Sequence, residues 1–267
     1  MAEQYHELDV SSDGISLLPI KGIPEIKKGD DLSTIITAAA KKSGVALRNN
    51  DVLVMAHKIV SKSQGLSVKK STVKVSARAR NLAKKICKDP QKVEVILRET
   101  RKIIVAKKMK GRDEGVLICE NKNGHTSANA GVDESNTGDE DRLILIPRRP
   151  DAAAKKLRDQ IVKKTKKSIG IVITDTFGRP WRMGLVNVAL GVAGIPAILD
   201  VRGIEDSDGR ILNASLLAIA DELAAASGIL MGKTAGVPVV IVRGLKFTGK
   251  PGKAKELVRP TKEDLFK

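Results

Sequence analysis

The stretch Ile169-Gly170-Ile171-Val172-Ile173-Thr174-Asp175-Thr176-Phe177-Gly178-Arg179-Pro180-Trp181-Arg182 carries the strongest statement about the fold of this chain. Its first six residues are a continuous, mostly β-branched apolar run, which reads as a buried strand. Residues 237–242 form a second run of this kind, residues 51–59 are β-rich, and residues 15–20 read as a further strand. Helices are expected between them. Asp30-Asp31 caps one from 32 to 43, Ser76 starts one through 85, and Asp89-Pro90 starts one through about 101, since a carboxylate or hydroxyl accepts orphan amide protons and proline suits the first turn. Asp151 is expected to cap a long basic helix to about 166, and Asn213 a helix over 214–227. Residues 106–114 read as a loop or hairpin tip, and 115–120 and 143–146 as short strands. The alternation has no strict βαβ rhythm and no internal repeat. It predicts an α+β fold of mixed and antiparallel sheets with packed helices. An arm (1–14), a main domain (15–247) that could divide in two, and a basic, loosely held tail (248–267) complete the organisation.

Composition narrows the chemistry. With 267 residues of which 42% are apolar, the chain can bury a core and is not expected to be disordered. Its five aromatic residues are Tyr5, Phe177, Trp181, Phe247 and Phe266, so the core must be aliphatic. The net charge of +17 favours anionic ligands. Nucleic acid is an unlikely partner, because the chain has neither zinc-finger spacing nor an aromatic-rich stacking motif. Cys87 and Cys119 make no disulfide framework and read as small core residues. Residues 1–14 are polar and acidic, and no apolar run reaches membrane-spanning length, so a soluble cytoplasmic protein is expected.

The segment Gly228-Ile229-Leu230-Met231-Gly232-Lys233-Thr234 imitates a phosphate-binding P-loop. It has three residues between its glycines where the motif has four, and a helix precedes it where the motif has a strand, so a helix C-cap is the better reading. Gly232 and Lys233 could still face a nucleotide in another geometry. Asp175 stands where a buried strand exits, a common ligand position, and Asp133 sits in the polar loop Asn129-Ala130-Gly131-Val132-Asp133-Glu134-Ser135-Asn136. Two hard carboxylates from separate loops suit Mg²⁺ or Mn²⁺ sharing a nucleotide's phosphates, although an aspartate taken alone more often caps a helix or turn. Arg179 and Arg182, around Pro180, would make a fork-shaped anion site, with Trp181 covering a flat substrate or stacking on arginine. Lys62 could hold a phosphate as a point charge, whereas His57 reads first as a structural histidine. Asp221-Glu222, Glu94 and Glu99 must face solvent or find partners.

Six motifs in order complete the picture. They are Leu18-Pro19-Ile20-Lys21-Gly22-Ile23-Pro24, Ala56-His57-Lys58-Ile59-Val60-Ser61-Lys62, the Asn129 to Asn136 loop, Asp175 to Arg182, Ala220-Asp221-Glu222-Leu223, and Met231-Gly232-Lys233. Together they resemble the coenzyme F420-0:L-glutamate ligase family over about residues 15–245. The resemblance implies a homodimer with a fold of its own, distinct from the P-loop NTPases. It also implies a reaction in which GTP activates the terminal carboxylate of coenzyme F420-0 as an acyl phosphate. The amine of L-glutamate then attacks it, and further glutamates follow in γ-linkage. By matching position, Asp133, Asp175 and Thr176 would hold Mg²⁺ or Mn²⁺, with K⁺ as an additional candidate ion. Lys21, Gly22, Ile23, Pro24, Ala56, His57, Lys62, Asn136, Met231, Gly232 and Lys233 would line the GTP site. Catalytic roles for Asp175, Arg179 and Arg182 follow from their chemistry. Gln64 and Asn187 stand where many relatives carry glutamate and aspartate. A nucleotide-binding regulatory protein without ligase activity is the alternative.

Overall fold

Three apolar runs lie side by side at the centre of the molecule, a computed structural model that describes residues 8–135 and 137–264. In chain order the elements begin with β1 (Leu8–Val10), β2 (Ser16–Pro19), α1 (Leu32–Lys42), β3 (Val52–Ala56), α2 (His57–Ser63) and β4 (Ser67–Lys69). Next come α3 (Ala77–Ile86), α4 (Pro90–Glu99), β5 (Thr100–Lys107), β6 (Val116–Asn121), β7 (Thr126–Ala128) and β8 (Arg142–Ile144). The last are α5 (Pro150–Thr165), β9 (Gly170–Arg179), β10 (Arg182–Ala193), β11 (Leu199–Asp200), β12 (Leu216–Leu217), α6 (Ile219–Met231), β13 (Val239–Arg243) and β14 (Leu245–Phe247).

The central sheet has the order β10-β9-β3-β13-β2. β3 and β9 are parallel, and every other neighbouring pair is antiparallel. The sheet is covered on both faces, which is why its strands read as continuous apolar runs. Ile171, Ile173, Leu53 and Met55 point to one side, where Ile36 and Ala40 of α1 and Ala154, Leu157 and Ile161 of α5 meet them. Val172, Val52 and Val54 point to the other, against Ala220, Leu223 and Ala224 of α6. Each of the Val, Leu, Ile and Met side chains among these gains about 1.5–3 kcal/mol on full burial. A buried ion pair ties β3 to β13: Arg243 donates through Nε and Nη2 to the fully buried Asp51 carboxylate, both at 2.8 Å.

A second, smaller core joins α3, α4, the three-stranded sheet β5-β6-β7 and β8 around Ile86, Ile96, Leu117, Cys119 and Leu143. Its hairpin β5–β6 turns at residues 108–115, as expected. The architecture is α+β with mixed and antiparallel sheets. Among the described residues no helix is long and apolar enough to cross a membrane.

The chain departs from its sequence expectations in several places. The last helix begins at Ile219, not 214, because Leu216 and Leu217 pair as β12 with β11 before the helix starts, and Asn213 caps nothing. Asp151 is not the cap of α5. Arg149 occupies that position with Pro150 following, and the Asp151 carboxylate instead accepts the backbone N–H groups of Val192 at 2.9 Å and Ala254 at 2.8 Å. That second bond, and Gly252 N–H donating to Ile195 at 2.9 Å, pin residues 252–254, so this part of the tail is not loose. The 51–59 run is not one strand: it turns into α2 at His57. Residues 175–182 are not a loop, since β9 continues to Arg179 and β10 returns from Arg182. Cys119 is buried, but Cys87 is exposed at the end of α3.

Candidate active site

A strand that stops beside a longer parallel neighbour leaves a crevice beyond its carboxyl end. Ala56 is opposite Thr174, so β3 and β9 open on the same crevice. The antiparallel β13 brings the segment after α6 to this end, and β2 delivers residues 23–26. The result is a cleft of about 360 Å³. Ile23, Pro24, Ala56, His57, Lys62, Asp133, Asp175, Thr176, Met231, Gly232 and Lys233 all line it. Five of the six quoted motifs thus contribute residues to this cleft, whereas the Ala220 to Leu223 motif does not line it.

His57 is the first residue of α2 and is 1% exposed. Its Nδ1 lies 3.2 Å from Ser61 Oγ. Its Nε2 lies 3.5 Å from Asp175 Oδ1, without hydrogen-bond alignment, so this buried nitrogen has no hydrogen-bond partner among the described residues. Burial lowers the pKa of His57, with Asp175 pulling the other way, and the ring is neutral near pH 7. The nearby carboxylate favours the Nε2–H tautomer, with Nδ1 accepting from the Ser61 hydroxyl.

Asp133 enters the cleft from the second core. Its backbone pairs with Ile144. Its carboxylate receives the Lys58 ammonium at 2.6 Å and the Ser135 N–H at 2.7 Å. Burial alone would raise its pKa, but Lys58 and Ser135 outweigh that and hold it below the usual carboxylate range. The neighbouring Glu134 is gripped from outside. Lys92, 6% exposed on α4, reaches Glu134 Oε2 at 2.5 Å and Glu114 Oε2 at 3.3 Å. Lys70 reaches Glu134 Oε1 at 3.3 Å.

The other wall is polar. Thr176 Oγ1 donates to Asn187 Oδ1 at 3.0 Å and accepts from Lys233 Nζ at 2.9 Å. Gly232 closes α6 with φ +52°, its N–H donating to Gly228 O, so the segment is a helix C-cap and not a P-loop. Lys62 Nζ meets Glu25 Oε1 at 2.5 Å.

Asp133, Asp175 and Thr176 bring two carboxylates and one hydroxyl, all hard oxygen donors, to this cleft. Among the described residues no three His, Cys, Asp or Glu side chains form a metal-holding group. The donor set fits a Mg²⁺- or Mn²⁺-like ion that completes its shell with water and phosphate oxygens, and does not fit an ion caged by protein alone.

Some expected site residues lie elsewhere. The backbone of Lys21 is tied to the Ser43 hydroxyl, and neither Lys21 nor Gly22 lines the cleft. Asn136 lies outside the described residues. The arginine fork does not form at the cleft. Four strand residues beyond Asp175, about 13 Å along β9, Arg179 donates through Nη2 to Met183 O at 3.1 Å within the hairpin. Arg182 is exposed beyond it, and neither arginine lines the cleft. The sequence reading missed Glu25, Lys58, Asn187 and Thr234 as cleft residues. Lys58 lay inside a quoted motif. Asn187 reaches Thr176 only through the β9–β10 register, which no local pattern announces.

The family described as F420-0:Gamma-glutamyl ligase matches residues 21–244. A coenzyme F420:L-glutamate ligase of Methanothermobacter thermautotrophicus is 39% identical over 257 residues, covering 95% of this chain and 99% of that protein. One of Methanopyrus kandleri is 39% identical over 263 residues, with 95% and 99% covered. One of Methanocaldococcus jannaschii is 40% identical over 222 residues, with 83% and 86% covered.

Proposed function

Because this chain belongs to the F420-0:gamma-glutamyl ligase family, we propose that it joins L-glutamate to coenzyme F420-0 at the expense of GTP. The γ-phosphoryl group of GTP passes to a carboxylate oxygen of the acceptor, and GDP leaves. The glutamate nitrogen then attacks the acyl carbon. A C–N bond forms, the C–O bond to phosphate breaks, and inorganic phosphate departs while the amine proton goes to solvent. Repetition on the product adds further glutamates in γ-linkage.

The observation that carries this reading is the meeting of Asp133, Asp175, Thr176, Lys62 and Lys233 in one cleft. Lys62 and Lys233 offer compact positive charges for phosphate oxygens. Asp133, Asp175 and Thr176 would hold Mg²⁺ or Mn²⁺, which supplies charge neutralisation for phosphoryl transfer when bound. The buried ring of His57 stands 3.5 Å from Asp175 without an aligned hydrogen bond, and the Asn187 amide orients the Thr176 hydroxyl. The homodimer belongs to the same proposal. Trp181, Met183 and Leu185, exposed on the β9–β10 hairpin, support it as an apolar surface that a second copy could cover.

The test is incubation with coenzyme F420-0, L-glutamate, GTP and Mn²⁺, following GDP release and product mass. The expected result is GDP release that requires the acceptor, with a mass gain of one or more glutamyl units. GDP release independent of the acceptor, without a mass gain, would sink the proposal.

A further inference from the structure

A second concavity, of about 760 Å³, opens beside α5 and has a different electrostatic character. Its lining includes six cationic side chains: Lys122, Arg149, Lys155, Arg158, Lys253 and Lys255. Among the described residues Asp151 is the only carboxylate in the lining. That carboxylate is already engaged, since its Oδ1 accepts the N–H groups of Val192 and Ala254 and so stitches α5, β10 and the 251–257 segment into the cavity walls. Lys122, Arg149, Lys253 and Lys255 form no ion pair with any carboxylate among the described residues. Cations brought together from three separate segments repel one another, a cost that an anionic ligand relieves.

The floor is built to hold one of them. Arg158 donates from Nε to the Ile169 carbonyl at 2.7 Å. It runs past Gly194, whose φ is +82° and where a Cβ would stand 2.2 Å from that Nε. Only glycine leaves room for the guanidinium on this path. The cavity also lies close to the proposed reaction centre. Leu190, in its lining, is two residues along β10, about 7 Å, from Val188, the strand partner of Asp175. His125 lines the cavity, and its ring stands edge-on to Phe177 at 6.3 Å. Phe177 projects from the same face of β9 as Asp175, two residues away.

We propose that this cavity binds the carboxylate-bearing tail of the acceptor, a chain of γ-linked glutamyl units. The proposal rests on the ligase reading above. The chemistry follows from spacing. One compact phosphate would need its donors gathered at one point, whereas Arg149, Lys155 and Arg158 are spread along about 13 Å of α5, with Lys122 in the β6–β7 turn and Lys253 and Lys255 on a third segment. A chain presenting one free carboxylate per unit matches such a distribution. The cavity thereby favours acceptors that already carry glutamate.

The experiment uses the full chain and a triple variant, Lys122→Gln, Arg149→Gln and Lys255→Gln, chosen because all three side chains are exposed. Calorimetric titration with tri-γ-glutamate is expected to show binding by the parent chain and about tenfold weaker binding by the variant, with GTP affinity changed less than about twofold. Equal affinity in both proteins, or no binding by the parent chain, would overturn the proposal. So would inorganic phosphate displacing the peptide at equal concentration, since the cavity would then be a simple phosphate site. In turnover, the variant should raise KM for a glutamylated acceptor about tenfold while kcat stays within about twofold; an unchanged KM counts against the site. Absence of any product from the parent chain would overturn the ligase reading, whereas tripeptide binding reports on the cavity alone.

Discussion

The two halves of the 169–182 stretch end in different worlds. Residues 169–173 are buried between two helix layers, and Asp175 and Thr176 emerge from them into the cleft, in contact with His57 and Lys233. The other half, Phe177 to Arg182, runs on as a hairpin whose tip carries Trp181 at 81% exposure, with a φ of +58°. Both halves are equally rich in chemistry when written out. An extended strand, however, moves each residue about 3.3 Å further on, so charged neighbours in sequence are carried apart. Convergence comes from parallel β3 ending opposite Thr174, where β9 runs on beyond it, not from adjacency.

Asp175→Asn should break the comparison most severely on the cleft side. Turnover is expected to fall on the order of 10²–10³-fold, with the thermal midpoint little changed because the side chain is partly exposed. Full activity in this variant would remove Asp175 from the reaction.

Lys92→Met tests whether the cleft is held from outside. Burial alone would lower the pKa of Lys92, but Glu134 and Glu114 raise it overall, so the ammonium stays charged. Removing it leaves Glu134 and Glu114 facing each other without their shared cation. Both carboxylates are partly solvated, so the expected loss in unfolding free energy is about 1–2 kcal/mol. A looser Asp133 loop should raise KM for GTP. Denaturant titration and steady-state kinetics check both, and a variant indistinguishable in each would mean the Lys92 network does not support the site.

His57 offers a pH test. Its folded pKa lies below the ordinary 6.5 because of burial. As pH falls from about 7 to 5 the unfolded chain takes up a proton that the folded chain refuses, so stability present above the ordinary pKa is lost on acidification. His125, also lowered by burial, contributes in the same direction. His57→Gln should therefore flatten the slope of unfolding free energy against pH in this window by up to about 1.4 kcal/mol per pH unit. An unaltered slope would place the imidazole in water.

The smallest effect is expected at the hairpin tip. Arg182→Gln should change kcat/KM by less than about twofold, because the side chain lies beyond the cleft. A loss of tenfold or more would mean that the tip reaches the cleft of a second copy, and would restore Arg182 to the reaction.

Helix starts at Asp31, Ser76 and Asp89 could be read directly, because side chain and orphan amide are two or three residues apart. Asp151 looked like the same device, but its oxygen is claimed by amides 41 and 103 residues away. Likewise Glu94 and Asp221 turned out structural: Glu94 accepts from the N–H and hydroxyl of Ser76, and Asp221 from the N–H of Ala189. Burial raises the pKa of Asp221. No local pattern separates these from Asp133 and Asp175.

By itself the sequence determined that the core is aliphatic, that strands at 169–174 and 237–242 lie inside it, that 228–234 cannot wrap a phosphate as a P-loop does, and which short motifs belong together. These depend on side-chain volume, period and short-range hydrogen bonds, which act between near neighbours. Only the tertiary structure decided that Lys58 meets Asp133, that Asn187 holds Thr176, that the arginines leave the cleft, and that six cations surround a cavity beside α5. Each depends on strand order and register, which are set by packing the sheet between its two helix layers. Such long-range pairing is written in no single stretch of the chain.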